Sequence, residues 1–196
     1  MEYRQPHFFT DLYPHLHAVV TTGSVFFDAG SVFGYHRNAM IEHEFKKNYL
    51  TMIENAAKGE NWLFKNFSIK RDGVEVDALE NGGLSCAVLV SSILYLHNSL
   101  LEFLQKPHWI NFTHANVIPT VKDMLQSGWQ EISDLKIGAV LVWEKLEHEH
   151  IGFYMGNDEA VSNDSKGRGF PWKHHYTYND TRKIDKILWH PELDNG

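Results

Sequence analysis

Between Gly83 and Pro107 the chain reads LSCAVLVSSILYLHNSLLEFLQK, an unbroken helical pattern that is apolar on most of its circumference. A helix of that kind has no face to give to water, so it belongs in the middle of a domain with other elements wrapped around it. Gly82 and Gly83 precede it and Pro107 closes it. With 196 residues the chain is long enough to build one sizeable core around such a helix.

The rest of the sequence supplies the wrapping. Residues 1 to 35 are aromatic-rich and punctuated by Pro and Gly; TTGSVFF and GSVFGY there read as short strands or ordered loops. From His36 to Ala57 apolar residues recur at spacings of three and four, which predicts a one-faced helix that stops at Lys58–Asn61. Asp72-Gly73 is a candidate turn between short alternating segments. VIPTVKDMLQ, capped by Asn116 or Thr120, predicts a second helix after the central one. Beyond LKIG the pattern changes to short β-branched or aromatic runs, AVLVWE, HIGFYMG, EAVSND and KIDKILWH, parted by Gly, Asn or Asp. Helices followed by antiparallel strands give an α+β domain, expected over residues 76–196, with an N-terminal helical extension over 1–75 packed on it.

Charge and cysteine count narrow the partners. Asp and Glu outnumber Lys and Arg by 25 to 18, a formal charge of −7, and no basic stripe interleaved with aromatics is present. That argues against a nucleic-acid partner. Cys86 is the only cysteine, so an intramolecular disulfide and a multi-cysteine zinc site are both excluded. The first residues lack the apolar stretch of a signal peptide, and no apolar run approaches the ~20 residues that span a bilayer. The expectation is a soluble chain made in the cytoplasm, with no membrane partner.

Cys86 sits where the central helix begins. Backbone N–H groups of a first helical turn lack intrahelical acceptors and the helix dipole there is positive. Both favour a thiolate, so a thiol pKa below the free value of about 8.5 is expected. The same N–H groups can bind a developing oxyanion, and the glycines ahead let a carbonyl approach the backbone. The plainer role for a lone cysteine is that of a small buried hydrophobe.

His150 tips the balance. It opens the HIGFYMG strand and shares a face with Gly152 and Tyr154, because side chains alternate along a strand. A glycine two residues from a histidine leaves room above the sheet for a helix end, which is what a thiol–imidazole pair requires. A third group should accept a hydrogen bond from the far ring nitrogen. The next strand offers Ser162, Asn163 and Asp164; Asn163 is the choice, since a serine is a weak acceptor and Asn163 lies on a different face from Ser162. A competing reading makes His148 and His150 an HxH metal pair, completed by Glu144, His174 or His175. No tight metal signature accompanies it, so no cofactor is expected. His174 and His175 are assigned to the cleft rim or to solvent. Trp109, Trp129, Trp143 and Tyr154 are candidates for lining a groove, with core packing the commoner fate of such residues.

Three pieces taken in order, ENGGLSCAVLVSSIL, LKIGAVLVWE and HIGFYMGNDEAVSND, resemble the NlpC/P60 superfamily of papain-like peptidoglycan hydrolases. In that family a catalytic cysteine opens a buried helix, a glycine turn starts the following strand, and a histidine strand supplies the base. The resemblance implies Cys86 as nucleophile, His150 as base, and a third residue in the Ser162–Asn163 segment. It covers residues 80 to 165. It departs from the family pattern at Ser85, Ala87 and Ala139, where Asp, Ser and Asp are usual. The implied reaction is cleavage of an amide or isopeptide bond in peptidoglycan stem peptides through a thioester. Acyl transfer or deamidation on the same scaffold, and a non-catalytic wall-binding module, are the alternatives. A wall substrate combined with a missing signal peptide suggests action after lysis or signal-independent export, with a phage component or an immunity protein as candidate partner.

Overall fold

The computed structural model describes residues 16–21, 24–29, 40–41, 44–163 and 167–195. Contacts divide the chain into two compact units, Met1–Glu44 and Phe45–Gly196. In the first, β1 (Leu16–Thr21), β2 (Ser24–Ala29) and β3 (Met40–Ile41) form an antiparallel sheet in that order. Met40 and Ile41, expected to open a helix, are instead strand residues that pair with Phe26 and Val25. The GSVFGY segment lies outside the described residues.

The second unit begins with α1 (Phe45–Ala56) and continues through a short 3-10 turn at Trp62–Phe64 to a hairpin of β4 (Ser68–Arg71) and β5 (Val74–Asp77). Asp72 and Gly73 both take positive φ, 52° and 82°, the conformation a tight hairpin turn demands. Next come α2 (Cys86–Phe103), α3 (Val117–Gln126), β6 (Gln130–Glu131), β7 (Val140–Trp143), β8 (His150–Gly156), β9 (Glu159–Asn163), β10 (Pro171–His175) and β11 (Ile184–Trp189). The last six strands make one antiparallel sheet in the order β10-β9-β8-β7-β11-β6. The sequence suggests a boundary near residue 75; contacts put α1 and the β4–β5 hairpin in the unit that holds the cysteine helix.

α2 lies on the middle of this sheet, against β8 and β9, with α1 and α3 on its other sides. Leu89, Val90, Ile93 and Leu94 are buried with Ile151, Phe153 and Val161 in one core. Burying a side chain of this size is worth about 1.5–3 kcal/mol, so α2 and the sheet hold each other. The helix is not covered all round: Tyr95 and Leu96 are about half exposed. Its polar residues are used too. Asn98 receives the Trp109 N–H at 2.9 Å and donates to the Ile110 carbonyl at 2.5 Å, fastening the returning chain to the helix. The result is an α+β architecture with a central cysteine-bearing helix packed on an antiparallel sheet, and a helical extension, α1, ahead of it. Among the described residues no helix is long and apolar enough to cross a membrane.

Candidate active site

The loop before α2 is built by Asp77. Its carboxylate accepts the backbone N–H groups of Phe67, Leu79 and Asn81 and the amide of Asn66, at 2.7–3.0 Å. These bonds hold the carboxyl well below the usual carboxylate range, the Phe67 and Asn81 N–H groups most of all. They also stabilise the left-handed residues Glu80 and Asn81 ahead of Gly82. Gly82 itself, at φ 93°, has no room for a side chain: a Cβ would sit 2.3 Å from the Gly169 carbonyl oxygen. From this turn the chain enters α2 with Cys86 as its first residue.

Cys86 and His150 line the same cleft, of about 370 Å³, together with Glu80, Val117, His148 and Arg182. The Cys86 Sγ lies 4.0 Å from the Glu149 carbonyl oxygen, and the Ile151 N–H acts on it as a hydrogen-bond donor. The sulfur thus touches the backbone on both sides of His150. Helix start and strand start meet here as expected.

Behind the imidazole the arrangement differs from expectation. His150 Nε2 is 2.9 Å from Ser162 Oγ and 2.7 Å from the Tyr178 hydroxyl. Ser162 Oγ in turn lies 2.8 Å from His174 Nε2 and 3.0 Å from the Tyr178 hydroxyl. Asn163 faces elsewhere: its Nδ2 donates to the Gly82 carbonyl at 2.8 Å, so it ties β9 to the turn that delivers Cys86. The hydrogen bond to the His150 ring expected of Asn163 is made by Ser162. Asp164 lies outside the described residues.

The cause is a bulge. The hairpin closes at Gly156↔Glu159, yet the next pairs are Tyr154↔Ala160 and Phe153↔Val161, so β8 carries one extra residue. Without it, Gly152 would face Asn163 across the ladder; with it, Gly152 faces Ser162. The absent side chain of Gly152 is then a requirement, since a Cβ there would lie 2.5 Å from the Val161 carbonyl oxygen and 2.7 Å from Ser162 Cβ.

Proton directions follow from counting donors. His174 Nδ1 is 2.8 Å from the His175 carbonyl, which can only accept, so Nδ1 carries a hydrogen. In the neutral ring Nε2 then accepts, and the Ser162 hydroxyl must donate to it. Ser162 has no second proton, so toward His150 and Tyr178 it accepts. Among the described residues, every short contact of the His150 ring is satisfied when His150 carries its hydrogen on Nε2, which leaves Nδ1 as a bare base. Nδ1 makes no hydrogen bond among the described residues.

Aromatic rings pack this network in place. His174 stacks on Tyr178 with centroids 4.1 Å apart, and Trp143 lies 5.2 Å from His150 and 5.6 Å from Tyr178. Trp143 donates its indole N–H to the Tyr176 carbonyl at 2.7 Å. Tyr178, Asn179 and Asp180 are three successive left-handed residues, a conformation costing roughly 1–2 kcal/mol per residue. His175 offsets this by accepting, through Nδ1, the N–H groups of Thr177 and Asn179, while the Thr177 hydroxyl donates to Asp180 Oδ1. His174 is therefore buried behind His150 and His175 caps a turn, where the sequence suggests rim or solvent. Trp109, Trp129 and Trp143 are core residues, and Tyr154 packs on Tyr176.

Burial sets the resting charges. It pushes the Cys86 thiol above its ordinary value, and the N–H groups of Ile151 and Ala87, with the Arg182 charge, only partly counter it. The thiolate expected from the helix start is overcome by desolvation, since Cys86 is 7% exposed. His150 is pushed down to about 3, by burial first and then by the Arg182 charge. Both groups rest neutral, an arrangement suited to a base that takes the thiol proton as attack occurs.

The metal reading finds no support in the residues. His148 lies in the loop before β8 rather than on its face, His150 Nε2 is committed to Ser162 and Tyr178, and no cluster of three His, Cys, Asp or Glu suited to a metal occurs among the described residues. Sequence reasoning missed Tyr178 and Arg182 altogether. Neither has a local signal: both come from the turn between β10 and β11, Arg182 to the cleft wall and Tyr178 to the Nε2 side of the His150 ring. No protein-family model and no curated protein matches this chain.

Proposed function

We propose that the protein is a thiol hydrolase in which Cys86 attacks an amide carbonyl and His150 is the base. The observation that carries this is the bare Nδ1 of His150: its far nitrogen is held by Ser162 and Tyr178, and the strand backbone on both sides of it touches the Cys86 sulfur. Nδ1 takes the thiol proton as sulfur bonds to the carbonyl carbon. The oxyanion is met by N–H groups of the first turn of α2. Nδ1–H then passes its proton to the leaving nitrogen, and the C–N bond breaks to give a thioester. Water attacks next, losing a proton to Nδ1, and the sulfur leaves as the thiol with a carboxylic acid as product.

The order of ENGGLSCAVLVSSIL, LKIGAVLVWE and HIGFYMGNDEAVSND supports a place in the NlpC/P60-like hydrolases, and through that resemblance a peptidoglycan stem peptide as substrate. Incubation with purified murein, followed by mass analysis, tests it. Released fragments should carry one added water per bond cut. Intact murein after long incubation would remove the substrate assignment.

A further inference from the structure

The cleft holds a cation, Arg182, that makes no ion pair among the described residues. Arg182 donates its Nε–H to the Glu144 carbonyl at 3.1 Å and one Nη2–H to the His148 carbonyl at 2.7 Å. A guanidinium has five N–H donors in a planar fork. The whole Nη1 group and one Nη2 hydrogen of Arg182 are therefore unspent. The cleft's other cation, Lys145, pairs with Glu149 at 3.3 Å, whereas Arg182 is tethered only by backbone oxygens. Glu144 contributes charge nearby, but its Oε1 is taken by the Lys183 N–H at 2.8 Å.

A half-buried guanidinium held rigid by two carbonyls, with its remaining donors at a cleft, is the arrangement that grips a carboxylate bidentately. We propose that Arg182 anchors a free carboxylate of the substrate, lying within one residue of the amide that Cys86 attacks. This rests on the hydrolase reading above and narrows its substrate to amides next to a free acid. The acid is either a chain-terminal carboxylate or the side chain of an acidic residue beside the bond. Glu80 and Glu147, which line the same cleft, repel a carboxylate placed beside them. Arg182 thus acts on substrate, and its field on the thiol is a by-product of where it sits.

Two alkylating reagents separate these roles, because both report the same thiolate and only one is an anion. Iodoacetate and iodoacetamide each transfer a two-carbon group to sulfur and release iodide. At one pH, the rate ratio of iodoacetate to iodoacetamide at Cys86 should be on the order of tenfold higher in the wild type than in Arg182→Gln. Arg182→Lys should fall between them. An equal ratio in wild type and Arg182→Gln overturns the proposal, even if both rates drop together, since a common drop reports only the thiol.

The unmodified protein gives a second arm. N-acetylglycine should slow iodoacetamide more than N-acetylglycinamide does if the anchor takes a terminal carboxylate. The α-amide of N-acetylaspartate should do so if it takes a side-chain carboxylate. Protection no better than the neutral amide from either acid counts against the anchor. Failure of both reagents to label Cys86 at any pH removes the nucleophile itself, and the hydrolase reading with it.

Discussion

Ser162 Oγ sits 2.9 Å from His150 Nε2 and 2.8 Å from His174 Nε2, so one hydroxyl joins two imidazoles and fixes which nitrogen of the first carries the proton. A hydroxyl is a weak orienter alone, because it can turn its hydrogen either way. Here His174, itself locked by the His175 carbonyl, decides the direction.

Ser162→Ala removes that decision. Turnover should fall on the order of 10²-fold, the scale of a mispositioned general base. Stability should fall by about 1–3 kcal/mol, since two buried imidazole nitrogens lose a partner. Kinetics on stem peptides and a urea melt check the two effects separately. Unchanged turnover would show that Tyr178 alone suffices.

Asn163→Ala should act differently. It cuts the bond to the Gly82 carbonyl and loosens the turn ahead of Cys86, at a cost of about 1 kcal/mol. It leaves the imidazole network alone, so the pH profile of turnover should keep its shape while the rate drops. A shifted profile would return the orienting role to Asn163.

Gly152→Ala places a methyl group 2.5 Å from the Val161 carbonyl oxygen and 3.0 Å from Trp143. Backbone and a packed indole cannot yield cheaply, so β8 and β9 must part where Ser162 meets His150. A loss of about 1–3 kcal/mol in stability is expected, with turnover lost beyond what the melt explains.

Acid should unfold this protein early. Burial pushes His150 down to about 3 and His97 to about 4, and lowers His190 as well, all from an ordinary value near 6.5. Below about pH 6.5 the unfolded chain takes up these protons first, so stability is whole above that pH and is lost as pH falls toward 4. Thermal melts at steps from about pH 7 to about pH 4 should show Tm falling steadily. A flat Tm across that range would mean these rings are not buried neutral.

Much of the fold was legible because it rests on periodicity. The apolar run after Gly83 had to be a central helix, and the aromatic run HIGFYMG, bounded by a Gly-Asn-Asp turn, had to be a strand with His150 at its start. The site was legible only as far as those two elements carry it. Choosing between Ser162 and Asn163 needs the parity of the β8–β9 ladder, and one bulged residue near Met155 inverts it. Periodicity does not reveal a bulge whose residues are all strand formers. Tyr178 and Arg182 come from a turn whose left-handed run of Tyr, Asn and Asp has no glycine to announce it. The thiol's upward shift was missed for another reason: a helix start favours the anion locally, but desolvation depends on what the rest of the chain packs over it.

The central claim is that the sulfur of Cys86 performs the chemistry. Fragment release from stem peptides by Cys86→Ala tests it most directly, with Tm recorded on the same sample. We predict no release above background and a Tm within a few degrees of the parent, because a small side chain at the cleft wall carries little of the core. Release at the parent rate from a folded Cys86→Ala protein would contradict it.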